Sequence, residues 1–226
     1  MPIDLIIFDC DGVLVDSEII SCRVHSEVLT GIGYPITADE VFNRFLGRSN
    51  AEANREIEAE LGRKLPDDFA LQLKARELAE LAETVEGVPH VATALDAIRQ
   101  NICVASSGTP EKIRTGLTRA NLYDRFAPHI FSASQVKRGK PEPDLFLFAA
   151  AQMKTPPSRC IVIEDSIPGI IGATAAGMTV LGFRGGAHYL EKPERAPSPA
   201  ALEGAGAVRV FDDMRQLPAI IAEISS

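Results

Sequence analysis

Four consecutive apolar residues, Leu5-Ile6-Ile7-Phe8, stop abruptly at Asp9, and the chain beyond them falls into two textures. The unbroken β-branched and aromatic run predicts a buried strand, and Gly12 just past it predicts a turn. From residue 16 to about 84 the apolar positions keep helical spacing, which predicts helices over 16–30, 37–46, 50–61 and 67–84. Thr37 with Glu40 three residues on makes a capping-box arrangement, and Phe69, Leu73, Leu78 and Leu81 fall near one face of the fourth helix. No strand pattern occurs in this stretch. From Glu86 onward, short apolar runs at 102–105, 129–131, 160–163, 179–183 and 208–211 alternate with helical segments at 91–100, 110–120, 144–153, 167–176 and 213–224. Such alternation predicts an α/β fold with a parallel sheet covered on both faces, to which the first strand belongs. The all-helical block is then an insertion after that strand. Residues 184–199, rich in glycine, proline and charge, are expected to form a surface loop.

Composition narrows the setting. The 226 residues suffice for one core plus an insertion. A formal net charge of −8 argues against nucleic acid or an anionic membrane as principal partner. No apolar run approaches the roughly 20 residues of a bilayer span. Cys10, Cys22, Cys103 and Cys160 are widely spaced, with no CxxC or metal-finger pattern, and no signal peptide is apparent. Reduced, buried thiols in a cytoplasmic protein are the expectation, as a monomer or weak homodimer.

The chemistry gathers where strands end, which in an open parallel sheet is where ligands bind. Asp9 and Asp11 follow the first strand. At about 4 Å and an effective dielectric near 20, two such carboxylates repel by roughly 4 kcal/mol, a cost that a bound cation turns into a binding site. Ser106-Ser107-Gly108 follow the second strand, ahead of Thr109 as helix cap and Pro110 at the first helical position, an arrangement that favours a phosphate. Lys140, stiffened by Pro141 and Pro143, follows the third. Glu164-Asp165-Ser166 follow the fourth, and Asp165 adds a carboxylate to the oxygen-rich kind of site that Mg²⁺ prefers. Each loop alone is also ordinary turn, cap or surface chemistry. All four at one edge point to a site.

The ordered set Asp9-x-Asp11-Gly12, Ser106, Lys140 and Glu164-Asp165 resembles the four motifs of the haloacid dehalogenase superfamily. The helical insertion directly after the first motif resembles the β-phosphoglucomutase-like subgroup, and the likeness covers essentially the whole chain. It implies a Rossmann-like parallel-sheet core from residues 1–15 and 86–226, with a small helical-bundle C1 cap from 16–85 hinged near 15–17 and 85–89. It also implies a phosphatase of a small phosphorylated metabolite, a sugar phosphate or sugar-acid phosphate. Asp9 would be the nucleophile that forms an aspartyl-phosphate; Asp11 would protonate the leaving alkoxide and then activate water. Mg²⁺ would be held by the Asp9 carboxylate, the Asp11 carbonyl and Asp165, with Glu164 and Ser166 orienting that shell. Ser106, the amides that follow it and Lys140 would neutralise the transferring phosphoryl group.

The alternative within that resemblance is a sugar phosphomutase, in which a cap histidine and a cap arginine support transfer back to the sugar. Here Ser21 occupies the histidine position, with His25 one turn further on, and Asn50 occupies the arginine position beside Gly47-Arg48-Ser49. Both departures favour water as acceptor. Ser21, Arg48, Ser49 and Asn50 are the candidate substrate contacts from the cap, and Ser107 and Gly108 those from the core. A phosphorylatable signalling module would carry its acceptor on a later strand and would lack the helical insertion. Cys10, between the two aspartates, is expected to pack into the core, and His90, His129 and His188 are read as structural.

Overall fold

The run Leu5–Phe8 forms strand β1, and all four residues are buried, as a strand at the centre of a covered sheet requires. The structure is a computed structural model and describes residues 2–45 and 50–225. Four helices follow β1: α1 (Glu18–Gly31), α2 (Ala38–Phe45), α3 (Asn50–Leu61) and α4 (Phe69–Thr84). Helix α1 packs against α2 and α4, and its buried Val24, Val28 and Leu29 join Ile57 and Leu81 in one apolar cluster. The capping box forms: Thr37 N donates to Glu40 Oε2 at 2.8 Å and Glu40 N donates to Thr37 Oγ1 at 3.2 Å.

The second texture folds as α5 (Val91–Ala97), β2 (Asn101–Ser106), α6 (Pro110–Arg119), α7 (Tyr123–Phe126), β3 (Ile130–Ser132), α8 (Asp144–Gln152), β4 (Cys160–Glu164), α9 (Ile167–Ala175), β5 (Thr179–Phe183), α10 (Ala187–Leu190), α11 (Pro199–Ala205), β6 (Arg209–Phe211) and α12 (Leu217–Ser225). The six strands are all parallel, in the order β3-β2-β1-β4-β5-β6, and Phe8 stands between Val104 and Ile163. Successive residues of β1 face opposite ways. Ile6 and Phe8 join Val104, Ile161 and Ile163 in a cluster continuous with the helical insertion, whereas Leu5 and Ile7 join Cys103, Ala105 and Val162 under α8 and α9. Each such fully buried side chain contributes about 1.5–3 kcal/mol. Because the chain winds outward from β1 in both directions, the crevice at its carboxyl end opens between β2 and β4, and the site residues gather there. Among the described residues no helix is long and apolar enough to cross a membrane.

The structure adds α7, which the sequence reading lacks, starts α12 at Leu217 where a helix from 213 was expected, and departs from that reading in two further places. Helix α5 stops at Ala97, because Ile98 is extended and Asn101 already begins β2. Residues 184–199 are not merely a surface loop: α10 lies in them with His188 and Tyr189 buried, and Ser198 caps α11 through Ala201 N at 3.1 Å.

Candidate active site

The turn after β1 is built around Gly12, whose φ of +78° L side chains rarely adopt. It lets the chain double back so that Cys10 O accepts from Leu14 N at 2.9 Å and Gly12 N donates to Val15 O at 2.8 Å. Asp9 N still donates to Ile163 O at 3.0 Å, so this carboxylate is fixed to the end of the sheet. Cys10 is buried in the core, as expected.

Lys140 reaches from the β3–α8 connection to the centre of the site. Its Nζ lies 2.7 Å from Asp9 Oδ1 and 2.6 Å from Glu164 Oε1, and the lysine side chain is 6% exposed. The other Glu164 oxygen accepts from Ser166 N and Ser166 Oγ, both at 2.9 Å, while Ser166 Oγ caps α9 by accepting from Gly169 N at 3.1 Å. Glu164 is thus anchored on both oxygens and acts as the post that holds Lys140. Asp9, Glu164 and Asp165 bring one carboxylate oxygen each within 4.8 Å of one another.

The Asp11 carboxylate is turned toward a second group of residues. Its Oδ1 accepts from Ser17 Oγ and lies 3.3 Å from Lys112 Nζ, and its Oδ2 accepts from Ser106 Oγ at 3.4 Å. Ser106 Oγ in turn accepts from Gly108 N at 3.0 Å, and Thr109 caps α6 with Pro110 at its start. Ser107 is exposed beside them. Ser21 does not stand alone: it donates to Glu77 Oε1 at 2.6 Å and accepts from Lys112 Nζ at 3.2 Å, and Lys112 also pairs with Glu77 at 3.1 Å. Arg48 and Ser49 lie outside the described residues, as does the Asn50 side chain at the start of α3.

Two residues escape the motif reading. Lys112 is one; its signal is a cation in the first turn of α6, where the helix dipole disfavours it and where side chains tilt back toward the N-terminus and the site. His188 is the other. Its Nε2 lies 3.2 Å from Asp165 Oδ2, and its ring is buried, whereas the sequence reading assigns it only a structural place. Its signal is position, since Gly185-Gly186-Ala187-His188 follows the carboxyl end of β5.

The electrostatics describe a site short of positive charge. Burial pushes the Asp9 carboxyl well above the usual carboxylate range against the pull of Lys140, and Glu164 and Asp165 add to the rise. Burial and then Glu164 do the same to Asp165. Asp11 is also buried, but Lys112 and the Ser17 hydrogen bond outweigh that and hold it below its ordinary value. Burial opposes the charge on Lys140, yet Asp9 and Glu164 raise its pKa, so it stays an ammonium. Burial lowers the His188 pKa and keeps its ring neutral. Asp9, Asp11, Glu77, Glu164 and Asp165 therefore gather around two ammonium groups, and the excess sits on oxygen donors close enough to share one hard cation. The donor set fits a divalent metal ion.

The comparisons agree with this geometry. The family model of haloacid dehalogenase-like hydrolases matches residues 3–177. The 6-phosphogluconate phosphatase of Escherichia coli is 31% identical over 217 residues, 96% of this chain and 93% of that protein. A haloacid dehalogenase-like protein of unknown function from Agrobacterium tumefaciens superposes with a TM-score of 0.83 at 39% identity, covering 99% of this chain and 100% of the other. A hydrolase of the same family from Deinococcus radiodurans, solved with bound phosphate and sodium, has a TM-score of 0.78 at 33% identity, covering 98% and 96%. With the motif residues gathered at one sheet edge and the likeness running through the whole chain, the protein belongs to the haloacid dehalogenase-like hydrolase family, as one of its phosphoric monoester hydrolases.

Proposed function

We propose that the protein is a Mg²⁺-dependent phosphatase of small phosphorylated metabolites, sugar phosphates or sugar-acid phosphates, that works through an aspartyl-phosphate on Asp9. The observation that carries this reading is the Lys140 ammonium held between Asp9 and Glu164 beside Asp165, since it places an anchored carboxylate and positive charge where a phosphoryl group would sit. Asp9, Asp165 and the Asp11 carbonyl would hold Mg²⁺. When bound, the ion neutralises the buried carboxylates and phosphoryl oxygens and orients them.

An Asp9 oxygen forms a bond to phosphorus while the bond from phosphorus to the ester oxygen breaks. Lys140, Ser106 and the amides after it stabilise the charge on the transferring group. Asp11 is poised as a base, because Lys112 and Ser17 favour its carboxylate. In the first half Asp11 relays a proton from the substrate's phosphate monoanion to the leaving alkoxide. In the second half Asp11 takes a proton from the water that attacks phosphorus, which releases phosphate and restores Asp9.

Residues 16–85 serve in this reading as a cap that shields the site from bulk water. Water rather than a sugar hydroxyl is the acceptor. The Ser21 hydroxyl is committed to Glu77 and Lys112, while His25 lies between the rings of Phe45 and Phe69, each centroid 6.4 Å away. The substrate class follows the name of the Escherichia coli relative, and phosphate binding follows the Deinococcus radiodurans structure. The test is a phosphate-release screen of the purified chain with Mg²⁺ over sugar phosphates, sugar-acid phosphates and β-glucose 1-phosphate with a bisphosphate activator. Release from one of the first two groups, abolished by Asp9→Asn, supports the reading. Isomerisation of β-glucose 1-phosphate without net release, or full turnover by the Asp9→Asn variant, overturns it.

A further inference from the structure

Beyond the four motif loops, a fifth loop reaches the site. The segment after β5 carries His188 against Asp165, with Nε2 at 3.2 Å from Oδ2 and the histidine 4% exposed. Two glycines make room for it. A Cβ on Gly12 would overlap Asp165 Oδ2 and come within 2.7 Å of His188 Cε1, and a Cβ on Gly186 would lie 2.7 Å from both Gly12 O and His188 Cε1. The segment is pinned at its start, where Ala187 N donates to Asp16 Oδ1 at 2.7 Å, and at its next residue, where Tyr189 Oη donates to the Asp165 carbonyl at 3.4 Å. The His188 ring packs against Tyr189 at a tilt of 45°, with centroids 3.8 Å apart, and is backed by Phe42 of α2 at 6.2 Å. Arg195 covers Phe42 at 4.6 Å and pairs with Asp39 at 2.7 Å, so helix α2 braces the segment from outside.

The His188 Nδ1 atom is buried and, among the described residues, has no hydrogen-bond partner. An unpaired buried acceptor or donor costs about 1–3 kcal/mol, so the fold tolerates a penalty to place this ring. An apolar residue would fill the same space without it. What the ring alone supplies is a nitrogen, Nε2, 3.2 Å from one oxygen of Asp165.

We infer that His188 is a positioning residue of the cation site: its Nε2–H holds Asp165 Oδ2, and the carboxylate thereby presents its other oxygen to the metal. His188 is not itself in the group of ligand atoms formed by Asp9, Glu164 and Asp165. The inference rests on the proposed divalent cation at Asp9 and Asp165. Partners that orient a ligating carboxylate typically contribute 10–100-fold to metal affinity.

The experiment is Mn²⁺ binding to the full chain without substrate, read by electron paramagnetic resonance, with thermal unfolding in chelator as the check on folding. Wild type is compared with His188→Leu, which keeps bulk without a donor, with His188→Asn, whose amide falls short of Asp165, and with His188→Gln, whose amide reaches. The expected result is binding at least ~10-fold weaker in the Leu and Asn variants and within about threefold of wild type in the Gln variant. If the Leu variant does not fold, the Asn and Gln pair carries the same comparison. Wild-type affinity in the Leu or Asn variant, or equal weakening in all three, overturns the role of the N–H. Absence of Mn²⁺ binding to wild type overturns the underlying cation site instead, so the two failures are distinguishable.

Discussion

Lys140→Met removes the cation from a group in which every partner is buried. The ammonium lies 2.7 Å from Asp9 and 2.6 Å from Glu164, and Glu164 is fully buried. At an effective dielectric near 20 each contact is worth about 6 kcal/mol of attraction, offset by several kcal/mol for dehydrating each ion. Methionine occupies similar space but leaves two carboxylates facing each other, and breaking a buried pair in this way costs about 3–5 kcal/mol. The metal-free variant at pH 7.5 should lose about that much stability in a urea titration, with an unchanged slope showing that the same surface unfolds. The gap should narrow as the pH falls, because the raised pKa of Asp9 lets it take up a proton and shed the unpaired charge. A metal-free loss below about 1 kcal/mol, the range of a surface ion pair, would refute the reasoning, because it would place Lys140 in solvent.

Three other perturbations follow from the same geometry. Gly12→Ala combines a φ of +78° with a methyl group driven into Asp165 and His188, so it should cost about 2 kcal/mol or more in thermal unfolding and abolish phosphate release. Glu18, raised to about 7 by burial, binds its proton more tightly in the folded chain than in the unfolded one. Its contribution is therefore present at low pH and is lost between about pH 4.5 and 7, a change of about 3 kcal/mol, so the stability difference between Glu18→Gln and wild type in chelator should widen over that window; parallel curves would rule this out. Lys112→Met removes the main charge that opposes burial of Asp11 and raises its pKa, so the ascending limb of the pH–rate profile should move to higher pH, whereas an unmoved limb would detach Lys112 from Asp11.

The core was legible because a strand covered on both faces must be apolar at every position, as Leu5–Phe8 and residues 160–163 are. The capping box at Thr37 and the cap at Thr109 were legible because short-range hydrogen bonds depend on local spacing alone. Asp9 and Asp165 could be picked out because each sits directly at a strand end, and Lys140 because Pro141 and Pro143 stiffen the connection that follows β3. Lys112 and His188 were harder for opposite reasons. Lys112 is one of several charged residues on an amphipathic helix, and only the fold shows that Asp11, Glu77 and Ser21 converge on it. His188 lies in a segment whose glycines, prolines and charges have the composition of a surface loop; its Gly186, together with Gly12 after β1, instead makes close approach to Asp165 possible. Ser21 is a candidate substrate contact by its alignment with the cap-histidine position, and its hydrogen bonds to groups 56 and 91 residues away are not written in its neighbourhood.

Covalent capture of the phosphoryl group on Asp9 can be measured directly in the Asp11→Asn variant with Mg²⁺ and p-nitrophenyl phosphate. That leaving group departs without a proton, so the first step proceeds while the second lacks its base. The account predicts a burst of about one p-nitrophenolate per protein, then slow turnover. Borohydride reduction of the burst state should convert residue 9 alone to homoserine in the peptide mass spectrum. Steady release with no burst and no change at residue 9, or homoserine at any other aspartate, would contradict it.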